Sequence, residues 1–149
     1  MSVGSDFAVS CFGGGFNCAQ SVLLSHCEEL GLEKETALKL ACGFGGGMAY
    51  HGEACGAVTG ALMLIGLKYG KCRPEDNAAK AKTYALIREF SDEFRAMNGS
   101  INCTELVGYD LGDASAYAAA CDAGVFKTLC PRLVKESVEL AERILGFVP

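Results

Sequence analysis

The sequence predicts an all-α protein, a compact bundle of about five main helices around a central apolar one. Three observations lead there. Apolar residues recur at helical spacing through most of the chain. The segment from Ala54 to Tyr69 is apolar nearly all round, as a buried helix is. No stretch alternates apolar and polar residues like a half-buried strand, so no strand ladder is expected. The length suits one domain over residues 1–149, and no internal repeat divides it.

The first helix is expected over Cys18 to Leu30. Asn17 can cap it with Gln20 as the reciprocal capping-box partner. Phe16, Ala19, Leu23, Cys27 and Leu30 recur at helical spacing, and Gly31 is a natural stop. A second helix is expected over Lys34 to Cys42, with Ala37, Leu38 and Ala41 inward. The glycine-rich stretch from Gly43 to Gly52 leads into the central helix, whose Gly56, Thr59 and Gly60 offer a small-residue face. Gly70 to Pro74 is a turn. A long helix from Glu75 to Met97 follows, with Tyr84, Ile87, Phe90, Phe94 and Met97 as its core stripe. Asn102, with Glu105 as partner, can cap a short helix beginning at Cys103. The stretch 108–124 is alanine-rich in its middle and compatible with a helix. The last helix is expected to begin at Pro131, a residue preorganised for the first helical position. Leu133, Val134, Val138, Ala141, Ile144 and Leu145 form its apolar face.

Composition removes several functions. Thirteen basic against eighteen acidic residues leave a net charge of -5, the wrong sign for binding phosphates, so no nucleic acid partner is expected. The apolar stretch from Ala54 to Leu67 is shorter than the ~20 residues a membrane helix needs, so no membrane insertion is expected. The first residues lack the basic and apolar regions of a secretory signal, which makes the cytoplasm the expected location. No Ser/His/Asp or paired-carboxylate constellation suggests a hydrolase.

Nine cysteines are many for such a chain, and the odd number fits poorly with a complete disulfide framework. In a reducing compartment, clustered cysteines point to metal or redox chemistry. Cys18, Cys55, Cys103 and Cys130 each fall at or beside an expected helix N-terminus. Unpaired N–H groups and the positive dipole end stabilise a thiolate there and lower its pKa. These four are the candidate working cysteines, and they are expected to converge at one end of the bundle. Cys27 lies mid-helix, Cys42 near a helix end and Cys72 in a turn, while Cys11 and Cys121 are ambiguous. No Cys-x-x-Cys occurs, which removes the thioredoxin-type dithiol and the common zinc-finger spacings.

Gly45, Gly46 and Gly47 resemble part of a dinucleotide fingerprint, but a helix precedes them and no Gly-Lys-Ser/Thr follows. They are expected to bring backbone close to Cys55 and, with Gly56, to lie against whatever the thiols hold. His51 is a base, an alternative ligand or an ordinary loop histidine. Glu53 can help cap the central helix, and His26 is a surface or satisfied core residue.

Phe16-Asn17-Cys18-Ala19-Gln20, Gly45-Gly46-Gly47, Cys55-Gly56-Ala57-Val58-Thr59-Gly60, Cys103-Thr104-Glu105 and Cys130 occur in that order. This resembles the redox-active family named for its C-GCAxxG-C-C pattern, over about Phe16 to Leu145. Here the central motif is ordered Cys-Gly-Ala. The resemblance implies a helical domain with a redox role, and its four hallmark cysteines match Cys18, Cys55, Cys103 and Cys130. It implies no particular reaction.

Three chemistries remain open. The thiols can ligate an iron–sulfur cluster for electron transfer or redox sensing, four cysteines being the usual complement. They can cycle metal-free through disulfides as an oxidoreductase. They can hold zinc in a structural or interaction module. The first is the leading expectation, narrowly. A small acidic protein is compatible with docking to a larger redox partner protein.

Overall fold

A computed structural model describes residues 2–147; Met1, Val148 and Pro149 lie outside it. The fold is all-α. Helix α1 (Val3–Gly13) leads to α2 (Cys18–Leu24) and α3 (Lys34–Ala41). A 3₁₀ turn over Cys42–Phe44 and a single turn, α4 (Gly45–Met48), precede the central helix α5 (Gly56–Tyr69). Then come α6 (Asn77–Asn98), α7 (Cys103–Val107), α8 (Ala114–Asp122) and α9 (Val125–Leu145).

Helix α5 is the hub, packed against α2, α6 and α9. Its Ala57, Val58, Ala61, Leu64 and Ile65 are buried. Its glycines let α2 approach closely: a Cβ on Gly60 would stand 2.8 Å from the Ala19 carbonyl oxygen, and one on Gly56 would stand 3.1 Å from the Cys18 Cβ. The small-residue face thus seats α2 and holds Cys18 against the start of α5. Phe90 and Phe94 of α6, with Leu133, Val134 and Val138 of α9, close the core. Each fully buried side chain of this size contributes roughly 1.5–3 kcal/mol.

Three expectations need correction. The α6 stripe is rotated: Tyr84 and Met97 are exposed, and Thr83, Phe90 and Phe94 are the buried residues. The Lys80 ammonium lies over the Tyr84 ring on the outer face, 5.4 Å from its centroid. Helix α2 ends at Leu24 rather than Leu30, because the chain winds through overlapping turns up to Gly31. Helix α9 begins at Val125, not at Pro131, which lies inside it. The sequence reading also missed α1, whose start is a capping box between Ser2 and Ser5.

A polar network with His26 and Glu142 buried at its centre ties α1 to α9. His26 lies between Glu29 and Glu142, each 2.7 Å from a ring nitrogen, and the Ser2 hydroxyl donates to Glu142 at 2.6 Å. His26 is therefore a satisfied core histidine. Among the described residues, no helix is long and apolar enough to cross a membrane.

Candidate functional site

The cysteine positions follow from local caps. Asn17 forms a capping box with Gln20, which makes Cys18 the first residue of α2. The Asn102 side chain accepts from the Glu105 N–H at 3.1 Å, which makes Cys103 the first residue of α7. Cys55 is itself the N-cap of α5, with no side-chain capping bond. Glu53 does not cap that helix; its carbonyl accepts from the Cys103 N–H at 2.6 Å.

That bond belongs to a clasp absent from the sequence reading. The segments around Ala54 and Asn102 pair as an isolated antiparallel bridge. Besides the Glu53 bond, the Cys55 N–H donates to Ile101 at 2.8 Å and the Thr104 N–H to Gly52 at 3.3 Å. Cys55 and Cys103 are thereby locked side by side through backbone, although 48 positions separate them in sequence. The segments are too short to show periodicity, so no sequence signal announces them.

Cys130 departs from expectation. It lies inside α9, so no helix terminus acts on it. Gly124, with φ +77°, starts the helix instead. Pro131 has no N–H, so the Lys127 carbonyl lacks its usual donor four residues on. The helix survives this because long apolar stretches on its C-terminal side hold it to the core.

The glycine-rich stretch shapes the backbone around the site. Gly46, Gly47, Met48, Ala49 and Tyr50 all have positive φ, between 54° and 68°. They form a left-handed turn, which costs non-glycine residues roughly 1–2 kcal/mol each. Such strain persists only where surrounding structure enforces it. Here the Glu53 N–H bonds back to the Gly47 carbonyl at 3.0 Å. A Cβ on Gly47 would stand 2.7 Å from the Cys103 Cβ, and one on Gly45 would stand 2.7 Å from the Asn17 Cβ. The glycines thus crowd Cys103 and the cap of Cys18, whereas Cys55 was the expected neighbour. The Tyr50 ring folds back over Gly46.

Cys18, Cys55, Cys103 and Cys130 line one cavity of about 820 Å³. Cys18 is half-buried and the other three are buried. Gly45, Gly46 and Gly56 line it too; Gly47 stands behind Cys103. Cys42, which the sequence reading set aside, is an exposed fifth thiol on its wall, and its carbonyl accepts from the Asn17 side chain at 2.9 Å. His51 is exposed and does not line the cavity.

Electrostatics in the cavity are set by burial and by neighbouring sulfurs. The Cys18 thiol donates a hydrogen bond to Cys130, and that bond, then burial and the nearby Cys55, Cys130 and Cys103 sulfurs, push its pKa well above the usual thiol range. Burial pushes Cys55 up to about 11, although the Ala57 and Val58 N–H groups donate to its sulfur. Burial, then the Cys55 and Cys130 sulfurs, push Cys103 up to about 12. Cys130 alone among the four is lowered, because it accepts from Cys18, and that outweighs its burial. The expectation that helix N-termini acidify these thiols is thereby corrected. A helix terminus supplies roughly 0.3–1 kcal/mol, while full burial shifts a pKa by up to ~3–5 units.

A search of curated proteins and a search of solved structures each returned no match. A family model does match: "Putative redox-active protein (C_GCAxxG_C_C)" aligns with residues 16–144. That span takes in both halves of the clasp, the glycine-rich turn and every one of the four converging cysteines, and the chain belongs to this redox-active family.

Proposed function

We propose that the protein performs thiol–disulfide redox chemistry, with Cys130 as the attacking thiol and Cys18 as its resolving partner. The observation that carries this is the convergence of the four cysteines on one accessible cavity, where the Cys18 thiol stands beside Cys130 and favours its thiolate. This arrangement polarises the pair, since one sulfur holds its proton while the other loses its own more readily. With a disulfide substrate, the Cys130 thiolate attacks one sulfur and one substrate thiolate leaves. Cys18 then gives up its proton and attacks the Cys130 sulfur of the mixed disulfide, which releases the second thiolate. The products are a Cys18–Cys130 disulfide and two substrate thiols. Cys55 and Cys103 complete the thiol set as a second potential pair, held in place by the clasp. The expected setting is the cytoplasm, and the expected electron source or sink a larger redox protein.

A four-cysteine iron–sulfur site is the second reading. It draws support from the number of converging thiols and from the Ala57 and Val58 N–H groups at the Cys55 sulfur, the donor pattern that tunes cluster sulfurs. Among the described residues, however, no three His, Cys, Asp or Glu side chains are disposed to hold one ion. Ligation of a cluster, or of zinc, needs those side chains to turn.

Anaerobically purified protein separates these readings. Thiol exchange predicts protein without stoichiometric iron, sulfide or zinc, and one reversible disulfide mapped by mass spectrometry to Cys18 and Cys130. Iron and sulfide in stoichiometric amounts, lost together from Cys18→Ser, would replace it with the cluster reading.

A further inference from the structure

The cavity is much larger than the thiols need. Its volume of about 820 Å³ lies within the roughly 300–1,000 Å³ of pockets that hold organic ligands. Its walls carry aromatic rings: Phe12, Phe16, Tyr50, Tyr117 and Phe126. Tyr117 stands edge-on to Tyr50 with centroids 5.3 Å apart, and its ring lies 5.4 Å from Phe126. Lys127 is the single charged residue lining the cavity among those described. A polyanionic nucleotide or a charged peptide finds no matching charge here. A flat, uncharged ring finds aromatic faces on several sides.

The floor adds the chemistry. A dithiol that closes to a disulfide releases two electrons and two protons together. Tyr50 and Tyr117 both line the cavity with their rings 5.3 Å apart, and a phenol hydroxyl is a donor suited to a ligand carbonyl. The strained left-handed turn holds Tyr50 in that place.

We infer that the cavity binds a planar, uncharged two-electron carrier of the quinone class and passes electrons between it and the Cys18–Cys130 pair. The inference rests on the thiol–disulfide reading above. In the forward direction both S–H bonds break and the S–S bond forms. The quinone takes up the two electrons and two protons at its two oxygens and becomes a hydroquinone.

Duroquinone is a suitable probe, because its ring has no free carbon for thiol addition. Calorimetry on the Cys18→Ser/Cys130→Ser protein should show saturable binding, since the walls remain intact. Phe16 is exposed, so Phe16→Ala tests the wall without threatening the core; loss of one ring contact should weaken binding about tenfold. Reduced wild-type protein, mixed anaerobically with duroquinone, should yield one hydroquinone per Cys18–Cys130 disulfide formed. Hydroxyethyl disulfide, small and without a ring, is the control oxidant. If it forms the Cys18–Cys130 disulfide while duroquinone neither binds nor is reduced, the quinone inference is overturned and thiol exchange stands. If neither oxidant forms that disulfide, both are overturned.

Discussion

The molecule holds two apolar clusters that differ in construction. The larger joins α2, α5, α6 and α9, and its largest side chains, such as Phe90, Phe94, Leu64 and Ile65, are fully buried. The smaller gathers Cys103, Val107, Leu111, Ala120, Val125 and Cys130 from short helices and the first turns of α9. Phe12, Cys18 and Leu129 pack against both, so the thiol cavity sits at the seam. Long helices with continuous apolar faces carry the fold. Short capped elements, individually marginal in water, carry Cys18 and Cys103 and depend on the larger cluster for support, while Cys55 and Cys130 ride on the long helices α5 and α9.

The largest effect that sharpens this contrast is a pair of truncations. Phe94→Ala should cost about 3–5 kcal/mol, because it empties a fully enclosed site. Leu111→Ala, in the smaller cluster beside solvent, should cost only about 2 kcal/mol. Urea unfolding measures both, and alkylation of Cys103 under native conditions should speed up more in Leu111→Ala. Equal costs and equal alkylation would mean that the two clusters act as one.

Next in size is the glycine-rich turn. Gly47 has φ +68°, and its Cβ would stand 2.6 Å from the Glu53 nitrogen as well as close to Cys103. Backbone cannot swing away, so Gly47→Ala should cost about 2–4 kcal/mol and open the clasp. Gly46→Ala meets the Tyr50 ring, which can move, so it should cost less and chiefly displace Tyr50. Amide exchange at Cys55 and Cys103 reports the clasp; the prediction fails if Gly46→Ala exposes those amides more than Gly47→Ala does.

How much of this was legible before the structure depends on how local each signal is. Asn17 with Gln20 and Asn102 with Glu105 are capping pairs three residues apart, and they placed Cys18 and Cys103 correctly. The apolar run of α5 announced a central helix. Pro131 misled, because a proline suited to a helix start also fits inside a helix whose packing outweighs one missing hydrogen bond. Helix α1 buries only Gly4, Ser5 and Ala8, too little apolar pattern to detect. The Glu53–Cys103 clasp is a long-range backbone pairing, invisible to any window along the chain. The thiol pKa order was misjudged because burial is a property of the assembled fold.

That order sets a pH effect of intermediate size. Cys55 and Cys103 have folded-state pKa values raised to about 11 and about 12, above the usual value of 9.0. Their protonated forms are favoured by folding, so this stabilisation is complete below about pH 9. It is lost as pH rises from about 9 through the folded values. At pH 10.5 the loss should be about 1–2 kcal/mol per thiol. Cys130 has the opposite sign: its lowered pKa contributes stability that is fully present above about pH 9 and is lost as pH falls through the folded value. Urea midpoints at pH 8 and 10.5 should therefore fall less in Cys55→Ala/Cys103→Ala than in wild type. Alkylation against pH should show Cys130 as the first of the four to ionise; an earlier Cys55 or Cys103 would remove the burial argument.

The smallest effect compares one bond in two settings. Asn102 caps α7 by accepting from Glu105 at 3.1 Å, and Asp76 caps α6 by accepting from Ala79 at 3.1 Å. Losing either cap to alanine should cost about 1 kcal/mol. Helix α6 spans 22 residues and packs on the larger core, so Asp76→Ala should only fray its exposed end and leave every cavity thiol unchanged. Helix α7 has five residues and begins at Cys103, so losing its cap loosens the turn that carries the thiol. The backbone bonds of the clasp remain, which confines the change to the Cys103 side chain and its neighbours. Asn102→Ala should therefore raise the Cys103 alkylation rate at constant pH, and Asn102→Asp, which can still accept from the Glu105 N–H, should restore it. Similar thiol reactivity in Asp76→Ala and Asn102→Ala would show that the short helix needs no cap, and that the clasp alone holds Cys103.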